Sequence, residues 1–283
     1  MSVIIACDTA SDISVAEAQK LNIKMVHFKV YFGDEEYVDG VSLSTDEFYT
    51  KLKSSKVFPK TSLPSPDDYV KIFEEAKKNN DELVFLSISS KLSGAYQAAN
   101  IAKNIVDYDK IHIVDTKNCL TGLRLLVLNA VRLSNEGKSA EQIVEVLEDI
   151  KKRVHIFSIV DTLEYFYRGG RLSKSKYLIG QALNLKPFIK LSKDGEIVKE
   201  GQALGMIRAF MIAATQHKKF PIQSEYGLCY GYTTNENLEK FIKKTVDDFK
   251  VENIDISQIG PTSGAHIGPG GVCMAYISTK ENE

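Results

Sequence analysis

The segment Leu83-Val84-Phe85-Leu86-Ser87-Ile88, followed by the serine-rich turn Ser89-Ser90-Lys91-Leu92-Ser93-Gly94 and a helical pattern to about residue 105, most restricts the fold. A short apolar run with no polar alternation reads as a strand of the buried type. Strand, turn and helix in that order make a βα unit, and the unit recurs. Residues 3–7 read as a strand and 14–21 as a helix. Ser44 with Glu47 forms a capping box ahead of a helix through 53, and Ser65-Pro66-Asp67-Asp68 supplies a cap, an N1 proline and first-turn acids for another. Residues 110–115 give a further strand. An apolar helix follows over 121–136, stopped by Gly137, and Ser139 with Gln142 caps a helix through 153. Crossovers of this kind predict a mainly parallel sheet.

Past about His155 the pattern changes. Residues 187–191 and 196–200 flank Lys193-Asp194-Gly195, a hairpin signal, so antiparallel pairing enters. Helical patterns over 205–217 and 235–249 alternate with strands over 227–232, 254–259 and 272–278. The expectation is α/β with two lobes. The N-terminal lobe (1–155) has a parallel sheet, the C-terminal lobe (156–283) a mixed or antiparallel one, and a ligand lies between them.

Composition narrows the function. Hydrophobic residues make up 43% of the chain, enough for a sizeable core. Thirty-six basic against 37 acidic side chains leave a net charge of -1, no cationic field for duplex binding, so nucleic acid is not an expected partner. No apolar run reaches the roughly 18 residues of a membrane span, and the first residues lack the basic start of a signal peptide. Cys7, Cys119, Cys229 and Cys273 lie far apart with no zinc-type spacing, as expected of reduced thiols in a cytoplasmic protein without a metal site.

Three polar clusters fall where α/β proteins place ligands. Lys60-Thr61-Ser62-Leu63-Pro64-Ser65-Pro66 puts two hydroxyls in a proline-stiffened loop; its plain alternative is a helix-entry loop whose hydroxyls only cap backbone. Ser93-Gly94 opens a helix whose free N–H groups attract a carboxylate or phosphate, although Ser93 also suits an ordinary N-cap. Pro261-Thr262-Ser263-Gly264-Ala265-His266-Ile267-Gly268-Pro269-Gly270-Gly271 reads as a glycine-rich loop between strands, carrying a histidine that is either functional or structural. Two further features are Asp8-Thr9-Ala10-Ser11-Asp12 after the first strand and the cations of Arg168-Gly169-Gly170-Arg171-Leu172-Ser173-Lys174-Ser175-Lys176. Asp8 could bind a metal, orient a hydroxyl or cap a turn. The cations could face a phosphate or a partner, or form a solvated face. Neither nucleotide-binding glycine motif is present.

In order and spacing, the segments Asp8-Thr9-Ala10-Ser11-Asp12, Thr61-Ser62-Leu63-Pro64, Ser90-Lys91-Leu92-Ser93-Gly94-Ala95-Tyr96, Tyr167-Arg168-Gly169-Gly170-Arg171-Leu172 and Gly264-Ala265-His266-Ile267-Gly268-Pro269-Gly270 resemble the DegV family nearly end to end. That family includes the fatty-acid-binding subunits of bacterial fatty acid kinases. The resemblance implies that two lobes enclose a long-chain fatty acid, its carboxylate held at Thr61, Ser93 and His266, with Ser62 and Gly94 beside them. It also implies a partner kinase subunit that brings ATP and converts the bound carboxylate to an acyl phosphate. On this reading the chain is a carrier with no cofactor of its own, and Arg168 or Arg171 meets the incoming phosphate or the partner. Ala95 and Cys119-Leu120-Thr121 depart from common family variants, which bears on the acyl tail rather than on the carboxylate. The rivals are a serine hydrolase using Ser93 and His266, although Leu92-Ser93-Gly94 is no G-x-S-x-G elbow, and a stand-alone kinase.

Overall fold

The computed structural model describes residues 3–174 and 184–282. In its first half, β1 (Val3–Asp8) and β2 (Ile23–Val26) are followed by β3 (Lys29–Phe32), β4 (Glu35–Val38) and β5 (Lys60–Ser62), then by β6 (Glu82–Ser87) and β7 (Ile111–Asp115). Four of these form a parallel sheet in the order β2-β1-β6-β7, and the other three an antiparallel sheet in the order β4-β3-β5. The second half contributes β8 (Val154–Ile159), β9 (Leu185–Leu191), β10 (Ile197–Leu204), β11 (Leu228–Tyr232), β12 (Ile254–Gln258) and β13 (Val272–Ile277). They make one mixed sheet, β10-β9-β8-β13-β11-β12, in which only β11 and β12 run parallel. The α/β class and both sheet types follow the sequence pattern.

The marked helix starts are where the caps place them. Ser44 and Glu47, and Ser139 and Gln142, close reciprocal capping boxes, and Asp68 accepts from Ser65 N (3.0 Å) at the proline-led start of Pro66–Asn79. One segment shows no sequence signal and one expectation needs correction. Residues 22–43 hold β2 and the β3–β4 hairpin, whose four-residue strands are too short to show a period. The glycine-rich stretch after β12 is a helix, Pro261–Ile267, and not a loop. Proline fits its first turn, and Gly268 (φ 76°) ends it. Gly264 is there for closeness: a Cβ on it would lie 2.6 Å from Tyr49 Oη and 2.8 Å from Phe48 Cε1.

The helix Leu120–Asn135 runs between the parallel and mixed sheets and is buried on nearly every side, with Leu123, Leu126 and Ala130 fully enclosed. Its one buried charge is Arg124, 3% exposed. Arg124 Nε donates to Asp255 Oδ2 on β12 (2.5 Å), Nη2 to Glu17 Oε1 on Val15–Leu21 (2.5 Å), and Nη1 to the Asp12 carbonyl (3.0 Å). One guanidinium thus joins both halves of the chain. A buried cation needs this many acceptors to offset its lost hydration. Replacing Arg124 with Leu strands two carboxylates that are themselves only part-exposed. The expected loss is about 3 kcal/mol, read as a lower urea midpoint; a loss under about 1 kcal/mol would show that the halves hold together without it.

Candidate ligand site

Strand alternation separates the two hydroxyls of the first cluster. Thr61 lies on edge strand β5, opposite Val30, and its side chain enters a cleft between the sheets. Ser62 points the other way, its Oγ 3.5 Å from Tyr31 Oη, so it is not among the cleft-lining residues. Thr61 is therefore a strand residue and not part of a loop.

The serine-rich turn divides its labour. Ser90 is bound to Asp115 through N (3.1 Å) and Oγ (2.6 Å), and Ser89 Oγ donates to Gly195 O (2.9 Å), so both are structural. Ser93 lines the cleft while its Oγ accepts from Ala95 N (3.2 Å). Capping and facing a ligand are compatible here, because an accepting hydroxyl still has its own proton to donate. Gly94 is the exposed N-cap of Ala95–Val106 and is not among the cleft-lining residues; a Cβ on it would lie 3.2 Å from Leu63 Cδ2.

His266 reaches the cleft from the last turn of Pro261–Ile267. Its Nε2 lies 2.9 Å from Thr61 Oγ1, while Nδ1 is buried, close against Gly169, without a hydrogen-bond partner among the described residues. Burial first, and the positive charge of Arg171 second, push the imidazole down to about 3, so it is neutral at physiological pH. A buried orphan acceptor is tolerated better than a buried orphan N–H, which assigns the proton to Nε2. Nε2–H then donates to Thr61, and the Thr61 hydroxyl proton is left facing the cleft.

The cleft is partly open to solvent, and its apolar walls include Phe28, Ile88, Leu92, Leu120, Phe166 and Ile197. The polar groups on it are few: Thr61, Ser93, Thr262, Ser263, His266 and Arg171, with the Cys119 thiol. Three clusters far apart in sequence thus converge on one apolar space, the general form of a small-molecule site. Leu120, which the sequence marked as a departure, adopts φ 52°, a left-handed conformation rare for a bulky residue and held here by burial at the cleft wall.

The two arginines part company. Arg171 lines the cleft, with Nε donating to Leu92 O (3.1 Å) and Nη1 to Gly169 O (2.6 Å); among the described residues no carboxylate pairs with it. Arg168 is exposed, ion-paired with Glu164 (2.5 Å) and stacked over Phe58, its guanidinium 5.0 Å from the ring centre. Lys174 is exposed, and Lys176 lies outside the described residues. Asp8 is a turn cap: its two oxygens accept from Ala10 N (3.1 Å) and Ile88 N (2.9 Å), and burial raises it to about 7. No group of three or more His, Cys, Asp or Glu side chains suited to a metal occurs among the described residues.

Thr262 belongs to the glycine-rich cluster, one helical turn before His266, and its partner Asp39 is what sequence reading missed. Asp39 is buried in the turn after β4, where no local pattern points to it. The hydrolase arrangement is not assembled. His266 bonds Thr61 and not Ser93, and no carboxylate orients the ring.

Comparisons with known proteins bear on the family and the fold. A family model described as "Uncharacterised protein, DegV family" matches residues 2–279. A DegV domain-containing protein of Caldanaerobacter subterraneus subsp. tengcongensis is 32% identical over 271 residues, covering 94% of this chain and 95% of its own. Among solved structures, a DegV family protein from Thermus thermophilus described for its fatty acid binding aligns with a TM-score of 0.88 at 27% identity, over 98% of this chain and all of that one. A stearic-acid-binding protein from Eubacterium ventriosum gives 0.87 at 29% identity, over 98% of each.

A neutral His266 has a direct signature. Its folded value lies below the ordinary 6.5, so its contribution to stability is complete above about pH 6.5 and is lost as pH falls towards 3. Histidine NMR should show the His266 ring signals unchanged between pH 8 and pH 5; a ring titrating near 6.5 would contradict the assigned tautomer and its donor role.

Proposed function

The chain belongs to the DegV family, and on that premise we propose that it binds a long-chain fatty acid in the Thr61–Ser93–His266 cleft and presents the carboxylate to a separate ATP-bearing kinase subunit. The observation that carries this reading is the 2.9 Å Thr61–His266 contact on the wall of a mostly apolar cleft. Affinity comes from the tail. The ~14 methylenes of a C16 acid at about 0.8 kcal/mol each supply roughly 11 kcal/mol before ordering costs. The halves 1–155 and 156–283 act as lobes enclosing it.

The head group needs partners, because a bare carboxylate taken out of water is costly. Thr61, its own oxygen satisfied by His266, offers one O–H, and Ser93, its oxygen satisfied by Ala95 N, offers another. Neutral donors leave a carboxylate oxygen with a lone pair available. That oxygen attacks the γ-phosphorus of the partner's ATP. A C–O–P bond forms, the bond to the β-phosphate bridge breaks, and ADP leaves with the electron pair. Arg171, free of any carboxylate among the described residues, stands beside the head group to meet the incoming phosphate. Arg168, exposed next to Phe58, faces outward towards the partner. The chain acts in the cytoplasm as a carrier, with no cofactor beyond its cargo.

Hydrogen bonds to a charged group are worth about 1.5–3 kcal/mol each. Thr61→Ala and Ser93→Ala should therefore each weaken palmitate binding by about ten- to a hundredfold and lower acyl phosphate formation with the kinase subunit. Mass spectrometry of lipid extracted from the purified protein should find a stoichiometric long-chain acid. A protein that carries no lipid and rejects added palmitate, or undiminished acyl phosphate from both variants, would defeat the reading.

A further inference from the structure

His266 can reach Thr61 only if its helix leaves β12 at one particular angle, and residues outside the cleft hold that angle. Pro261–Ile267 carries Thr262 and His266 one turn apart, and both line the cleft. Its start is bound by two carboxylates of the first half of the chain. Asp39 Oδ2 accepts from Thr262 N (3.0 Å) and also from Thr262 Oγ1, while Asp12 Oδ1 accepts from Gly260 N (3.0 Å). Asp39 is itself anchored. Its N–H donates to Phe28 O (3.0 Å), and its carbonyl meets His27 Nδ1 at 2.8 Å. Thr9 completes the cluster, with Oγ1 3.3 Å from Thr262 Oγ1.

We propose that Asp39 is a positioning residue for the head-group cradle: by holding both donors of Thr262 it sets the first turn of the helix so that His266, one turn on, meets Thr61. Asp39 is 4% exposed and is not among the cleft-lining residues, so it acts through Thr262 and touches no ligand. The requirement is for an acceptor oxygen at that point, and a carboxamide oxygen in the same place satisfies it. Asp12 holds the residue before the helix, accepting from Gly260 N rather than from Thr262.

The ligand arm of the test rests on the fatty-acid reading and the spectroscopic arm does not. Palmitate and hexadecanol share a tail and differ in the carboxylate. Asp39→Ala should bind palmitate about tenfold more weakly while binding hexadecanol within about twofold of the wild type, and Asp39→Asn should restore palmitate to within about threefold. In the ligand-free protein, the His266 Nε2–H signal should shift in Asp39→Ala and return in Asp39→Asn. Equal weakening of both ligands, or an unchanged imidazole signal in Asp39→Ala, would overturn the inference. Wild-type protein that binds neither ligand would overturn the fatty-acid reading instead, and the imidazole signal would still decide the role of Asp39. If Asp39→Ala does not fold, Asp39→Ser, whose hydroxyl is too short to reach Thr262, takes its place in both arms.

Discussion

Everything at the cleft depends on how closely the helix Pro261–Ile267 can approach Thr45–Ser54. Gly264 permits it: any side chain there would collide with Tyr49 and Phe48, and Tyr49 Oη donates to Ile259 O (2.9 Å) just before the helix begins. The contact joins a helix of the first half to an element of the second, and it is steric. A methyl group at Gly264 would push the helix outward and carry His266 away from Thr61. Close packing of this kind transmits small displacements, because interiors are packed nearly as tightly as crystals.

The second constraint is electrostatic. The polar groups on the cleft wall are mostly neutral: the hydroxyls of Thr61, Ser93, Thr262 and Ser263, and an imidazole kept unprotonated by burial. The single cation on its wall among the described residues, Arg171, is held by two backbone carbonyls. Full charge is concentrated elsewhere, at Arg124, where three acceptors converge on a buried guanidinium. Strong charge pairs thus stand away from the cleft wall, while the pairing at Arg124 ties β12 to the helix Val15–Leu21 of the first half.

The helix caps and the buried strand at 83–88 were legible because their signals are local: a serine three residues before a glutamate or glutamine, or an apolar run too short for a helix. The hairpin β3–β4 was not, since four-residue strands have no period to read. The glycines after β12 misled for a definite reason. Glycine usually marks a turn, but Gly264 serves a close helix contact that exists only once Tyr49 is folded beneath it. Leu120 is a parallel case, because a leucine at φ 52° leaves no mark in a one-dimensional pattern.

The amino-acid order by itself determined the α/β class, the parallel and mixed sheets, and the three polar clusters, because periodicity and capping act over a few residues. Only the tertiary structure decided that Thr61 and not Ser62 faces the cleft, that Arg171 and not Arg168 lines it, and that Asp39 stands behind His266. These are questions of which side of a strand or helix is covered and by what. The answers come from packing between segments far apart in the chain, 205 residues for Thr61 and His266 and 223 for Asp39 and Thr262, and no local preference encodes them.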